Sequence, residues 1–259
     1  MMRKELLLRI AFPLFLAAAL AMVAFPSGCG GGGGKPALIL AATDDLEGSG
    51  LLESWTRGFQ MRSGRLVEVV TDTDDRVCDM ARHGECDLII THVPSDEERL
   101  ERAGYVTDRQ EIMRDSFVLV GPLGDPAGAG GAEKIEDALK GIAEARLPFL
   151  LRVDGSGVAI KARSLWSLTG IEETGDWLIE SPEGAEGALR RASIEGAYTL
   201  TGKSLYDRLA EELNLELIME GGEALVDHYH AMVISTLTYP DTDVAGAREF
   251  ISGITGSSP

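Results

Sequence analysis

The chain has 259 residues, with 24 Lys and Arg against 42 Asp and Glu, a formal net charge of −18 at neutral pH. Such a charge makes nucleic acid and anionic lipid faces poor partners. The length allows two modest domains with real cores, and beyond the N-terminus no apolar run approaches the roughly 20 residues needed to cross a bilayer.

The N-terminus sets Arg3 and Lys4 before a mostly apolar run from Leu6 to Phe25, then Pro26-Ser27-Gly28 before Cys29. That order is a secretory signal peptide over residues 1–28. Cys29 resembles the cysteine of a bacterial lipobox, with Pro26 at the place usually held by Leu. It is expected to carry a lipid that anchors the protein on the outer side of a bacterial membrane, with no transmembrane span. Residues 29–35 are a Gly-rich tether. Removing 28 of the 259 residues takes away Arg3, Lys4, Arg9 and Glu5, and leaves 21 basic residues against 41 acidic ones.

Strand-like and helix-like runs then alternate. Residues 37–41, 66–71, 87–91, 116–120, 149–152, 196–199, 215–219 and 231–235 read as strands. Helical spacing of apolar residues covers 50–63, 95–103, 135–145, 159–168, 183–195, 203–213 and 244–254, with a short helix over 76–83. This alternation predicts an α/β fold with largely parallel sheets. Cys78 and Cys86 are either a disulfide or two buried thiols, and no CxxC spacing suggests a metal. Breaks at "VGPLGDPAGAGGAEK" (120–134) and "EGGEALVDHYH" (220–230) enclose an insert of about 100 residues by this count. They predict one lobe from 36–121 plus 225–259 and another from 122–224, joined by two crossover strands into a clamshell.

Five segments carry a resemblance: "DLIITHVP" (87–94), "RDSFVLVGPLGDPAG" (114–128), "IAEARLPFLLRVDGSG" (142–157), "TGDWLIE" (174–180) and "GAYTLTGKSLY" (196–206). In order and spacing they resemble the extracytoplasmic solute-binding proteins of ABC importers, most closely the tungstate-binding family. The resemblance implies a type II periplasmic-binding fold, capture of a small oxyanion by a monomer, hand-over to a membrane permease, and no cofactor. It also implies three sources of donors: a Thr-Thr-Thr-Ser run after the first strand, a Gly-Thr-Gly turn after the second, and an Arg followed by Asp and Ser-Gly in the second lobe. A tetrahedral dianion needs such N–H and O–H donors, ideally at helix starts, plus a cation.

The third source is kept as Arg152, Asp154, Ser156 and Gly157. The first becomes Ala42-Thr43-Asp44-Asp45, and the second becomes Thr73-Asp74-Asp75. Acceptor-only carboxylates thus stand where the family presents donors. A unit charge about 4 Å from a dianion is repelled by roughly 8 kcal/mol at an effective dielectric near 20. Three outcomes are open: the aspartates hold a hard cation or the amine of a zwitterion, they close the cleft as ion pairs to Arg152, or they turn away as helix caps. At the second crossover Tyr229 matches a family tyrosine, and His228 and His230 are expected to point apart. His92, before Val93-Pro94 at a strand end, sits where strand C-termini line the cleft and is expected either to contact the ligand or to hydrogen-bond locally. No GxSxG, HExxH or P-loop occurs, so no enzyme is expected. The function expected is that of a substrate-binding lipoprotein of altered specificity, with a non-transport sensor or scaffold as the rival.

Overall fold

The structure is a computed structural model and describes residues 36–256 apart from Gly48; the signal peptide, Cys29 and the tether lie outside the described residues. Among the described residues nine strands and eight α-helices largely alternate: β1 (Leu38–Thr43), α1 (Leu51–Ser63), β2 (Val67–Asp72), α2 (Asp74–His83), β3 (Leu88–Thr91), α3 (Pro94–Arg102), β4 (Val106–Pro122), α4 (Ile135–Glu144), β5 (Phe149–Arg152), α5 (Gly157–Thr169), β6 (Leu178–Ser181), α6 (Ala185–Glu195), β7 (Tyr198–Gly202), α7 (Lys203–Leu209), β8 (Leu215–Met219), β9 (Val226–Ile234) and α8 (Val244–Thr255).

Two sheets share β4. Up to Ser116 it pairs with β9, and from Phe117 onward it pairs with β7 and β8. The first sheet runs β2-β1-β3-β9-β4 and the second continues β4-β7-β5-β6, with β8 on β4. This is the two-lobed type II arrangement. Parallel pairing is confined to β1 with β2 and β3, and to β5 with β6 and β7; every pairing of β4 and β9 is antiparallel. The expectation of largely parallel sheets is corrected by these two long strands.

Period-2 alternation builds each core on both sheet faces. In the first lobe Leu38, Leu40, Leu88 and Ile90 pack toward Phe59 of α1 and Phe250 of α8, whose rings lie 5.6 Å apart. Ala41 and Ile89 point the other way, onto Val77, Cys78 and Ala81 of α2 and Leu100 of α3. In the second lobe Phe117, Leu119, Phe149 and Leu151 face α4 and α5, while Val118, Val120 and Leu150 face α6 and α7. Cys78 and Cys86 are free and buried, so the thiol reading holds; burial, seconded by nearby carboxylates, pushes both up to about 12.

The ends of β1, β3 and β5 and the starts of α2 and α5 meet where the two lobes face each other. That meeting place is the switch region at which α/β sheets open a binding crevice.

Candidate functional site

Asp74 opens α2 from the first lobe and is wholly buried. Its Oδ1 accepts from the Thr91 hydroxyl at 2.6 Å and from the His92 N–H at 3.3 Å. Its Oδ2 accepts from the Thr43 hydroxyl at 3.2 Å and, across the cleft, from the Gly157 N–H at 2.7 Å. Gly157 is the first residue of α5, whose N-cap Ser156 accepts from the Ala159 N–H and donates to Asp154 Oδ1. A helix start is a natural seat for an anion. Here the anion is the side chain of Asp74.

Arg152 ends β5 and is equally enclosed. Its Nη1 donates to Asp45 Oδ1 at 2.9 Å and its Nε to Asp154 Oδ2 at 2.8 Å, while Nη2 lies 3.6 Å from Asp44 Oδ2. Asp44 and Asp45 form a single 3-10 turn after β1, and neither caps α1, whose N-cap is Gly50. The helix-cap expectation is therefore corrected for this pair: the inter-lobe ion pairs take them instead.

His92 sits between these groups with its side chain 0% exposed. Its Nδ1 lies 2.7 and 2.9 Å from the two oxygens of Asp227, and its Nε2 lies 3.0 Å from Asp45 Oδ2 and 3.2 Å from Asp74 Oδ2. The ring stacks on Tyr229 at 4.5 Å with planes 9° apart. A Cβ on Gly157 would stand 2.3 Å from Nε2, so the glycine is what lets α5 approach the ring.

The charges respond to this crowding. Burial works against a charged His92 ring, but the carboxylates of Asp74 and Asp227 outweigh it and hold its pKa well above the usual histidine value; Tyr229, which also faces the ring, is itself kept neutral by burial. For Asp74, burial is overcome by the His92 charge and by hydrogen bonds from His92, Thr91 and Gly157, so its pKa falls well below the carboxylate range. Asp45 is likewise lowered: burial opposes the charge, and His92 and Arg152 prevail. Asp44 goes the other way, pushed up to about 7 by burial and by the neighbouring Asp45, with Arg152 only partly offsetting them. Burial also raises Asp227, against the pull of His92. Five carboxylates (Asp44, Asp45, Asp74, Asp154 and Asp227) thus surround two enclosed cations, with Lys161 at the rim over the Phe117 ring.

A family model described as the PBP superfamily domain matches residues 31–256. The tungstate-binding protein TupA of Peptoclostridium acidaminophilum is 30% identical over 218 residues, which cover 83% of this chain and 76% of that protein. The chain belongs to the PBP superfamily and, within it, to the tungstate-binding family. A putative ABC transporter anion-binding protein of Haloferax volcanii is 29% identical over 230 residues, 87% of this chain and 67% of that protein. Among solved structures, the tungstate ABC transporter protein from Geobacter sulfurreducens matches at a TM-score of 0.78 and 27% identity, over 85% of this chain and 94% of that one. TupA from Desulfovibrio alaskensis G20 matches at 0.74 and 26%, over 85% and 90%.

Against the family's three donor sources, the structure brings Thr43, Asp44, Asp45, Asp74, His92, Arg152, Ser156, Gly157 and Tyr229 together. Two residues stay apart from that cluster. Thr73 is the half-exposed N-cap of α2, and its side chain makes no capping bond. Asp75 is exposed and lies over the Gly155 turn, its N–H 3.4 Å from the Gly155 carbonyl, with burial and the charges of Asp96 and Asp74 raising its pKa. His228 and His230 do not point apart: residues two apart on a strand share a face, and their rings stack at 6.5 Å, Nδ1 of each within 3.0 Å of Glu111 and Glu97 respectively. Sequence reasoning missed Thr91 and Asp227. The same rule was the signal for Asp227, which lies two residues before Tyr229 on β9 and so shares its face.

Proposed function

We propose that this chain is an extracytoplasmic solute-binding protein that serves an ABC permease and has exchanged its family's oxyanion for a ligand carrying positive charge. The carrying observation is the Asp74 carboxylate on the Gly157 N–H at 2.7 Å, with Asp45 on Arg152 at 2.9 Å. The helix start and the arginine that would receive a tetrahedral dianion are taken by carboxylates of the other lobe. A dianion entering there would meet like charge rather than donors. The names of the relatives support the transport role, and the signal sequence with Cys29 supports a lipid anchor on the outer side of the membrane. The acids and bases of the cluster are engaged with one another, which supports binding over catalysis.

The test is a thermal-shift and calorimetric screen of the full chain against tungstate, molybdate, sulfate, divalent cations and amino acids. A ligand at 100 times its Kd adds about 2.7 kcal/mol to stability. Stabilisation by a cation or an amine-bearing solute, with none from tungstate, supports the reading. Stabilisation by tungstate alone overturns it, and silence toward every solute turns the case to a sensor or scaffold.

A further inference from the structure

The Gly157 N–H and Arg152 are taken by Asp74 and Asp45, but beside His92 and Gly157 a cavity of about 420 Å³ opens against the two crossover strands. We propose that this cavity is the seat of the solute, and that the solute is a zwitterionic α-amino acid with an apolar side chain. The inference rests on the reading that the solute carries positive charge, and makes it specific.

Both lobes and the crossover build the cavity. From the second lobe α5 brings Gly157, Ile160, Lys161 and Ser164, at the i, i+3, i+4, i+7 spacing that puts residues on one helix face. The start of α3 brings Pro94 and Ser95 from the first lobe. Phe117 and Val226 line it where β4 leaves β9 for β7. A solute held there has its full set of contacts only when the lobes are together, which is what couples binding to closure.

Lys161 supplies the unmet need. Its ammonium lies 5.5 Å from the centre of the Phe117 ring and makes no hydrogen bond or ion pair among the described residues. Burial presses its pKa downward, and the charge of Asp227 pulls the other way. An ammonium drawn partly out of water without an anion is unfavourable, and a carboxylate brought to it restores the lost hydrogen bonds. The two histidines of the cavity are already paired, His92 with Asp227 at 2.7 Å and His228 with Glu111 at 2.8 Å. A second cavity, of about 290 Å³ between Asp44 and the start of α6, offers no free cation: Arg208, which lines it, pairs with Glu186 at 3.4 Å.

Charge and polarity set the class. The carboxylates of the hinge-side cavity are Asp227, buried in its wall, and Glu223, which is exposed and has no hydrogen bond or ion pair among the described residues. Each Asp227 oxygen faces His92 Nδ1, and a carboxylate has about four acceptor positions, so others are left for an ammonium. A carboxylate alone or an amine alone meets half of this demand; an amino acid meets both halves. Phe117, only 3% exposed, with Ile160, Val226 and Pro94 makes the remaining wall apolar, which suits a hydrocarbon side chain. The volume lies within the range of about 300–1,000 Å³ usual for small-molecule pockets.

The test is calorimetric titration of the full chain with L-leucine and L-phenylalanine, each beside its one-ended analogues: isocaproate and isopentylamine for leucine, hydrocinnamate and phenethylamine for phenylalanine. Tungstate and Zn²⁺ run in parallel. At least one amino acid should bind one equivalent, roughly tenfold or more tighter than either of its analogues. Lys161→Met keeps most of the stem and removes the charge; it should weaken that binding by roughly tenfold or more, and Lys161→Arg should recover part of the loss. Filtered NOE spectra of the wild-type protein with the isotope-labelled amino acid read the site without any variant, and should connect its side chain to the Phe117 ring. Silence toward both amino acids, binding unchanged in Lys161→Met, or a bound amino acid without contacts to Phe117 overturns the proposal. An amine analogue that binds as tightly as its amino acid, or Zn²⁺ binding in their place, overturns it while the positively charged solute stands. A carboxylate analogue that binds as tightly, or tungstate binding alone, removes both.

Discussion

The Asp74 carboxylate of one lobe accepts the Gly157 N–H of the other at 2.7 Å, and so completes with its own charge the anion seat at the start of α5. Every oxygen lone pair that Asp74 offers faces a donor from Thr43, Thr91, His92 or Gly157. Asp74→Asn would turn one acceptor into an NH₂ group pointed at donors and remove a charge buried opposite His92. Breaking one side of a buried charged network costs about 3–5 kcal/mol. Urea unfolding of Asp74→Asn should show a loss of that order with an unchanged m-value. A loss under about 1 kcal/mol, the scale of one ordinary hydrogen bond, would show that the network is slack.

Gly157→Ala tests the approach of the lobes. The added Cβ would stand 2.3 Å from His92 Nε2, 2.6 Å from Cε1 and 2.8 Å from Cδ2, and the ring is pinned between Asp227 and Tyr229. Neither neighbour can yield, so α5 must move away from α2. Overpacking of this kind costs about 1–3 kcal/mol. The larger expected effect is functional: whichever solute stabilises the wild-type protein should no longer do so, as read by thermal shift at matched concentrations. Full retention of the shift would place the ligand away from this contact.

How much of this was legible in the sequence depends on what each segment buries. β1, β3 and β5 are apolar runs buried on both faces and were readable as strands at once. The first half of β4 was not, because Asp108, Arg109, Glu111 and Arg114 interrupt it and Asp108 bulges at φ 55°. The start of β9 was hidden in the same way by "VDHYH". Arg152, Ser156 and Gly157 were found through the family resemblance, and the four aspartates through departure from it. That one of those acids would take the N–H at the start of α5 depends on two lobes meeting, and no local pattern records that.

Asp44 gives a pH signature. Its folded pKa of about 7 lies above the ordinary 3.8, so between those values the native state keeps a proton that the unfolded chain releases. Stability from this group is present in full below about pH 4 and is lost as pH rises toward 7, then levels off. Asp44→Asn fixes the neutral form. Denaturation between pH 4 and 8 should show wild-type stability falling relative to Asp44→Asn across that window and parallel above it. A constant difference would mean that Asp44 is ionised throughout.

Restoring donors should restore the anion. Asp45→Ser with Asp74→Thr removes two carboxylates, frees Arg152 Nη1 and the Gly157 N–H, and returns hydroxyls to the two donor loops. Removing one unit charge about 4 Å from a dianion relieves roughly 8 kcal/mol at a dielectric near 20, of which screening and the remaining Asp44 and Asp154 retain a large part. A gain of at least tenfold in tungstate affinity, about 1.4 kcal/mol, is the expected result by calorimetry. Tungstate affinity that stays at the wild-type level while the fold is intact by circular dichroism would show that the aspartates are not what keeps the oxyanion out.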